Sequence, residues 1–156
     1  MEKRNEIFDI NCVAEVDLIY NNPVKPSLRP KINSARQAYE LFIENWDMGK
    51  IELQEHFKIM FLNRGGKALG IYTLSAGGMH GTVVDNKLLF AAALKANACK
   101  IILAHNHPSG SLQPSSADIE ITRGIVAAGK LLDIKVNDHL IITRDEYFSF
   151  SDNGYI

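Results

Sequence analysis

The 156-residue sequence has only two cysteines, no long apolar run and no excess of either charge, and each shortage removes a class of function. Cys12 and Cys99 lie far apart with no C-x-x-C partner, which argues against zinc-finger and thioredoxin-like readings and leaves both expected as small buried residues. No apolar stretch approaches the roughly 20 residues of a spanning helix, so no membrane segment is expected. The opening stretch, MEKRNEIFDINCVAEVDLIYNN, has neither an apolar export core nor a small-residue cleavage site, and a cytoplasmic location is the expectation. Lys plus Arg number 17 against 18 Asp plus Glu, a balance that leaves no electrostatic footprint for a phosphate backbone. The loose basic group Lys25, Arg29, Lys31 and Arg36 is equally well explained as solvated surface.

What is present is an ordinary globular composition, 46% apolar and 22% charged, long enough for one domain with its own core. NNPVKPSLRPKI, residues 21–32, reads as an extended connector because of its prolines. It sets an N-terminal arm, residues 1–33 with a strand expected over Ala14 to Tyr20, apart from a main body of residues 34–156. Ser34 is a candidate N-cap for a helix through ARQAYELFIENW. FKIMFL and ALGIYTLS, joined by NRGGK, form an expected antiparallel hairpin. DNKLLFAAALKANA reads as a core-packing helix ending near Asn97, and KIILAHNH as a strand covered on both faces. SSADIEITRGIVAAGKLLDI follows as a helix with Ile119, Thr122, Ile125, Val126 and Leu132 along one side, and IKVNDHLIIT and EYFSFS close the chain as strands. This order predicts an α/β fold with a mixed sheet flanked by helices.

The chemistry concentrates in AHNHPSG. Side chains on a strand alternate with period 2, so His105 and His107 point to the same side at the strand's C-terminal end, where open α/β sheets form ligand crevices. Asp118 lies in the first turn of the next helix, with Ser115 before it, and PSGSLQP is long enough to fold back. Two imidazole nitrogens and one carboxylate suit Zn2+, with a fourth position left to water. A general base is still required, and Glu55, just before FKIMFL, is the first candidate, with Glu52 one helical turn away as the alternative.

HNHPSGSLQPSSAD resembles the JAMM motif of JAB/MPN domains, and ALKANACKIILAHNHPSG through NDHLIIT resembles the RadC-like branch of that superfamily. The likeness runs roughly from residue 14 to residue 150. It implies a cytidine-deaminase-like α/β/α sandwich, zinc ligation by His105, His107 and Asp118, oxyanion support from Ser115, and Glu55 as the acid/base. It also implies a metallopeptidase or isopeptidase acting on a protein or peptide substrate. The loop GSLQP departs from the acidic, proline-rich GDPTP form of RadC-like chains. Longer RadC-like proteins carry an N-terminal helix-hairpin-helix module, for which no room is expected here.

Each residue also has a plainer reading. Ser115 and Asp118 are spaced as a helix capping box, and Ser115 can serve both roles. Asn106 points away from the histidines and is expected to bond a loop, His56 is expected to be structural and His80 an exposed loop residue. His139 is expected to be a satisfied core histidine. The letters HNH do not make a nuclease, whose residues are dispersed over a ββα-metal unit. Zinc deaminases use H-x-E with P-C-x-x-C, and both are missing here. The principal alternative to a hydrolase is a DNA-associated accessory protein with a structural or vestigial metal site.

Overall fold

The computed structural model describes residues 18–77 and 84–156. Within them five strands form one mixed sheet, in the order β2-β1-β3-β4-β5. The strands are β1 His56–Leu62, β2 Ala68–Ala76, β3 Lys100–Asn106, β4 Lys135–Ile142 and β5 Tyr147–Ser149. The helices are α1 Ala35–Glu44, α2 Asn86–Lys95 and α3 Ser116–Leu131. β1 and β2 are the expected antiparallel hairpin, closed by Asn63 and Lys67, with Gly66 at φ +80° in its turn. β3 runs antiparallel to β1 and parallel to β4, and α3 supplies the crossover that a parallel pair needs.

Alternation sorts the sheet into two faces. Met60, Leu62, Ile102, Ala104, Leu140 and Ile142 pack with Ala38, Tyr39, Phe42 and Trp46 of the α1 segment. Phe57, Ile59, Phe61, Ile101 and Leu103 pack with Leu89, Phe90 and Ala93 of α2 and Ile125 of α3. The result is the expected α/β/α arrangement, with β3 central and covered on both sides.

Helix ends follow local chemistry. Ser34 caps α1 by accepting the Gln37 N–H at 3.2 Å, as expected, and Asp85 caps α2 through the Lys87 and Leu88 N–H groups. α2 stops two residues before Asn97, which takes a left-handed φ of 53°. α3 likewise ends before Asp133, at φ 55°, so Leu132 is the C-cap and 43% exposed, outside the helix's buried side. That side carries Thr122, Ile125 and Gly129. A Cβ on Gly129 would lie 2.4 Å from the Ile134 carbonyl oxygen, so only glycine permits this close approach of α3 to the entry of β4.

Five expectations change or fall outside the described residues. The strand expected over Ala14 to Tyr20 lies mostly outside the described residues, and residues 18–20 have no regular structure. The connector, expected to be extended, bends at Pro23, Val24 and Arg29 and contains a 3-10 turn over Pro26–Leu28. Cys99 is exposed, not buried. It stands in the turn between α2 and β3, where Leu62 and Lys135 take its backbone groups and the thiol is left outside. Cys12 and His80 lie outside the described residues. No helix among the described residues is long and apolar enough to cross a membrane.

Candidate metal centre

His105 is the penultimate residue of β3, and its side chain continues the face of Ile101 and Leu103 toward α3. His107 follows on the same side, just beyond the strand, and Pro108 and Ser109 turn the chain so that the Gly110 N–H reaches the His107 carbonyl at 2.9 Å. Residues 111–115 then lead into α3, and Asp118 in its first turn faces the two imidazoles. Nε2 of His105 lies 3.0 Å from Nε2 of His107 and 3.4 Å from Oδ1 of Asp118, and Asp118 Oδ2 lies 3.7 Å from His107 Nε2. His105 is 1% exposed, whereas His107 and Asp118 are half-buried at the cavity wall.

One potential ligand atom from each of His105, His107 and Asp118 falls within 4.8 Å of the others, so the group can hold a metal ion. Bonds of about 2.0–2.1 Å at tetrahedral angles set ligand atoms roughly 3.3 Å apart, and the separations above bracket that value. The donor set therefore fits a small tetrahedral cation.

The electrostatics agree. Burial alone would raise the Asp118 carboxyl, but hydrogen bonding to His105, His107 and Ser115 holds it well below the usual carboxylate range. Asp118 in turn raises His107 against the opposing effect of burial. Asp118 is ionised at neutral pH, as a metal ligand must be.

Ser115 is both N-cap and neighbour of the proposed ligand. Its Oγ accepts the Asp118 N–H at 3.1 Å and donates to Asp118 Oδ2 at 2.7 Å, while its own N–H donates to the same oxygen at 2.7 Å. The capping box read from the sequence is therefore present, and it orients the carboxylate.

Glu55 reaches the same cavity through strand register. Phe57 of β1 pairs with His105, so the residues just before Phe57 stand beside those just after His105. Glu55 shares the face of Phe57 by alternation and lines a cavity of about 450 Å³ with His105, His107, Ser115 and Asp118. Glu52 does not line that cavity. It borders a separate depression behind His107 and Pro108, 3.8 Å from the Arg144 guanidinium.

Asn106 points to the opposite face, as expected, and is fully buried. Its Nδ2 donates to the Ile51 and Gln54 carbonyls at 2.7 and 2.9 Å, and its Oδ1 accepts the His56 N–H at 2.7 Å. The residue between the two histidines thus ties down the segment that carries Glu55. His56 rests its Nδ1 3.1 Å from the Gln54 carbonyl oxygen and takes no part in the cavity.

Two residues behind the site were not singled out from the sequence as site residues. His139 of β4 is fully buried, as expected of a core histidine, but its Nε2 lies 2.8 Å from Nδ1 of His105. Thr122, one helical turn after Asp118, places Oγ1 2.6 Å from His139 Nδ1 and 2.6 Å from the Asp118 carbonyl oxygen. Burial, reinforced by the nearby His105, pushes the His139 imidazolium well below its usual range, so the ring is neutral. The available signal for Thr122 was a hydroxyl in an otherwise apolar helix stripe, but nothing local pointed to His139.

Residues 32–155 match the RadC-like JAB domain family. A UPF0758 protein of Flavobacterium johnsoniae is 44% identical over 146 residues, which are 93% of this chain and 62% of that protein. UPF0758 proteins of Porphyromonas gingivalis and Syntrophomonas wolfei are 44% and 42% identical over 104 and 103 residues, 66% of this chain in each case and 46% and 44% of those proteins. The chain spans about half the length of these curated relatives, somewhat more in the first case. With the sheet order, the strand-loop-helix setting of HNHPSGSLQPSSAD and these matches together, the chain belongs to the RadC-like JAB domain family.

Proposed function

We propose that this chain is a zinc-dependent metallohydrolase of JAMM type that cleaves a peptide or isopeptide bond. The observation that carries this reading is the convergence of His105, His107 and Asp118 in a cavity that Glu55 and Ser115 also line. Zinc, when bound, supplies Lewis acidity and makes water a nucleophile near neutral pH.

The chain's own residues divide the remaining work. His105, His107 and Asp118 would hold the cation, a three-ligand set of the kind catalytic zinc sites use. Glu55 takes the proton of the attacking water and delivers it to the leaving amine nitrogen. The Ser115 hydroxyl turns from Asp118 Oδ2 to donate to the developing oxyanion. Glu52, outside the cavity and beside Arg144, is not the base in this scheme. The cavity is of small-ligand size and suits a short extended segment of a protein or peptide substrate.

Elemental mass spectrometry on untagged protein is the first test, with about one zinc per chain expected and a marked loss in Asp118→Ala. Peptide and isopeptide libraries then test hydrolysis, with activity expected in wild type and lost in Glu55→Gln at undiminished zinc content. Failure to take up added zinc would overturn the reading. Zinc uptake with tight DNA binding and no hydrolysis would instead assign the centre a structural role in a DNA-associated accessory protein.

A further inference from the structure

We propose that His139 and Thr122 are positioning residues of the metal centre, which hold His105 in the tautomer that turns its Nε2 lone pair into the cavity. The inference rests on the metal-binding reading above and concerns groups behind the ligands.

The argument starts from a fixed acceptor. A backbone carbonyl can only accept, so the single Thr122 hydroxyl proton goes to the Asp118 carbonyl oxygen, 2.6 Å away. Thr122 Oγ1 then has only lone pairs to offer His139 Nδ1, also at 2.6 Å, and that nitrogen must carry the proton. His139 is fully buried, and neither ring nitrogen meets a carboxylate, so the ring has one proton to place. Its Nε2 is therefore an acceptor. The group 2.8 Å away, Nδ1 of His105, must donate to it. In neutral His105 the other nitrogen, Nε2, is then unprotonated and faces His107 and Asp118.

His107 reaches the same state by a shorter route. Its Nδ1 lies 2.8 Å from the Ser111 carbonyl oxygen and donates to it, so that in the neutral ring a metal ligand requires, the lone pair is on Nε2 as well. Both imidazoles thus have an outer partner on Nδ1 and present Nε2, the arrangement by which outer groups fix ligand tautomer and ring orientation. The longer route adds a mechanical link. It runs from β3 through β4 to α3 and ends on the backbone of Asp118, so the strand ligand and the helix ligand are tied together behind the site.

The packing around His139 permits a clean test. The ring stacks on Phe150 with centroids 4.6 Å apart and meets Phe57 at 5.4 Å, so a phenyl group suits the slot while lacking both nitrogens. His139→Phe is expected to weaken zinc binding about 10- to 100-fold in competition titrations with a chromophoric chelator. His139→Gln, whose Oε1 can still accept from His105 Nδ1, is expected to recover most of that loss, which a purely packing role would not produce. Should His139→Phe fail to fold, Thr122→Val carries the same test, with an expected loss of about 10-fold. Folded variants within threefold of wild-type affinity would overturn the proposal.

A second readout needs no metal. Long-range proton–nitrogen NMR on the metal-free protein should find the His139 proton on Nδ1, and a proton on Nε2 would overturn the assignment. Wild type that takes up no zinc overturns the metal reading and this proposal with it. Wild type that binds zinc with His139 protonated on Nε2 overturns this proposal alone.

Discussion

β3 ends in two buried polar residues that face opposite ways, and the two sides use them differently. On the α1 side Asn106 meets only backbone, two carbonyls and one N–H of the segment from Ile51 to His56. On the α3 side His105 meets other side chains, His139 behind it and His107 and Asp118 in front. A buried amide satisfied by backbone has a single arrangement and acts as scaffold. A buried imidazole whose outer nitrogen is held and whose inner nitrogen faces a second imidazole and a carboxylate retains a lone pair to offer. The comparison shows why burial alone does not separate structure from site. The partners decide.

The comparison can be broken from the scaffold side first. Asn106→Ala leaves two carbonyls and one N–H without their partner, and a loss of about 3–5 kcal/mol is expected in urea unfolding of the metal-free protein. Zinc affinity of the folded fraction should stay within a few-fold of wild type, because no ligand contact is removed. A large parallel fall in affinity would show that the two faces are not separable.

The site side should behave in the opposite way. Asp118→Ala is expected to reduce zinc affinity by more than about 100-fold, roughly 2.7 kcal/mol. Its cost to metal-free stability should be smaller than that of Asn106→Ala, about 1–2 kcal/mol, from the lost half of the capping box and the lost contacts with the two imidazoles. Calorimetric titration and urea unfolding of the same preparation measure the two numbers.

Two smaller substitutions sharpen the contrast away from both residues. Gly129→Ala forces α3 from the entry of β4 and should cost about 2 kcal/mol in unfolding, with zinc affinity unchanged. Ser34→Ala removes the cap of α1 on the scaffold face and should cost about 1 kcal/mol with no effect on metal. Any loss of zinc affinity in Ser34→Ala would mean that the α1 face of the sheet is coupled to the site.

Most elements could be read locally because their signals are local. The apolar run KIILA, the NRGGK turn and the caps Ser34 and Ser115 each act over a few residues, and the structure places all of them as expected. Errors fell where an element meets solvent or another element. Leu132 continues the apolar stripe of α3 in sequence, but the helix ends one residue earlier, and Cys99, expected in the core, lies in an exposed turn.

The sequence by itself determined the candidate donor set. H-x-H on a strand end and S-x-x-D at a helix start set two imidazoles on one side and one carboxylate in a first turn, because strand period and capping geometry are properties of short stretches. Tertiary structure decided the rest. The placement of Glu55 at the cavity, and of Glu52 outside it, depends on β1 pairing with β3. The contacts of His139 with His105 and of Asn106 with Ile51 span 34 and 55 positions. Such contacts leave no local pattern, because only the packing of β1, β4 and α3 around β3 brings those groups within hydrogen-bond reach.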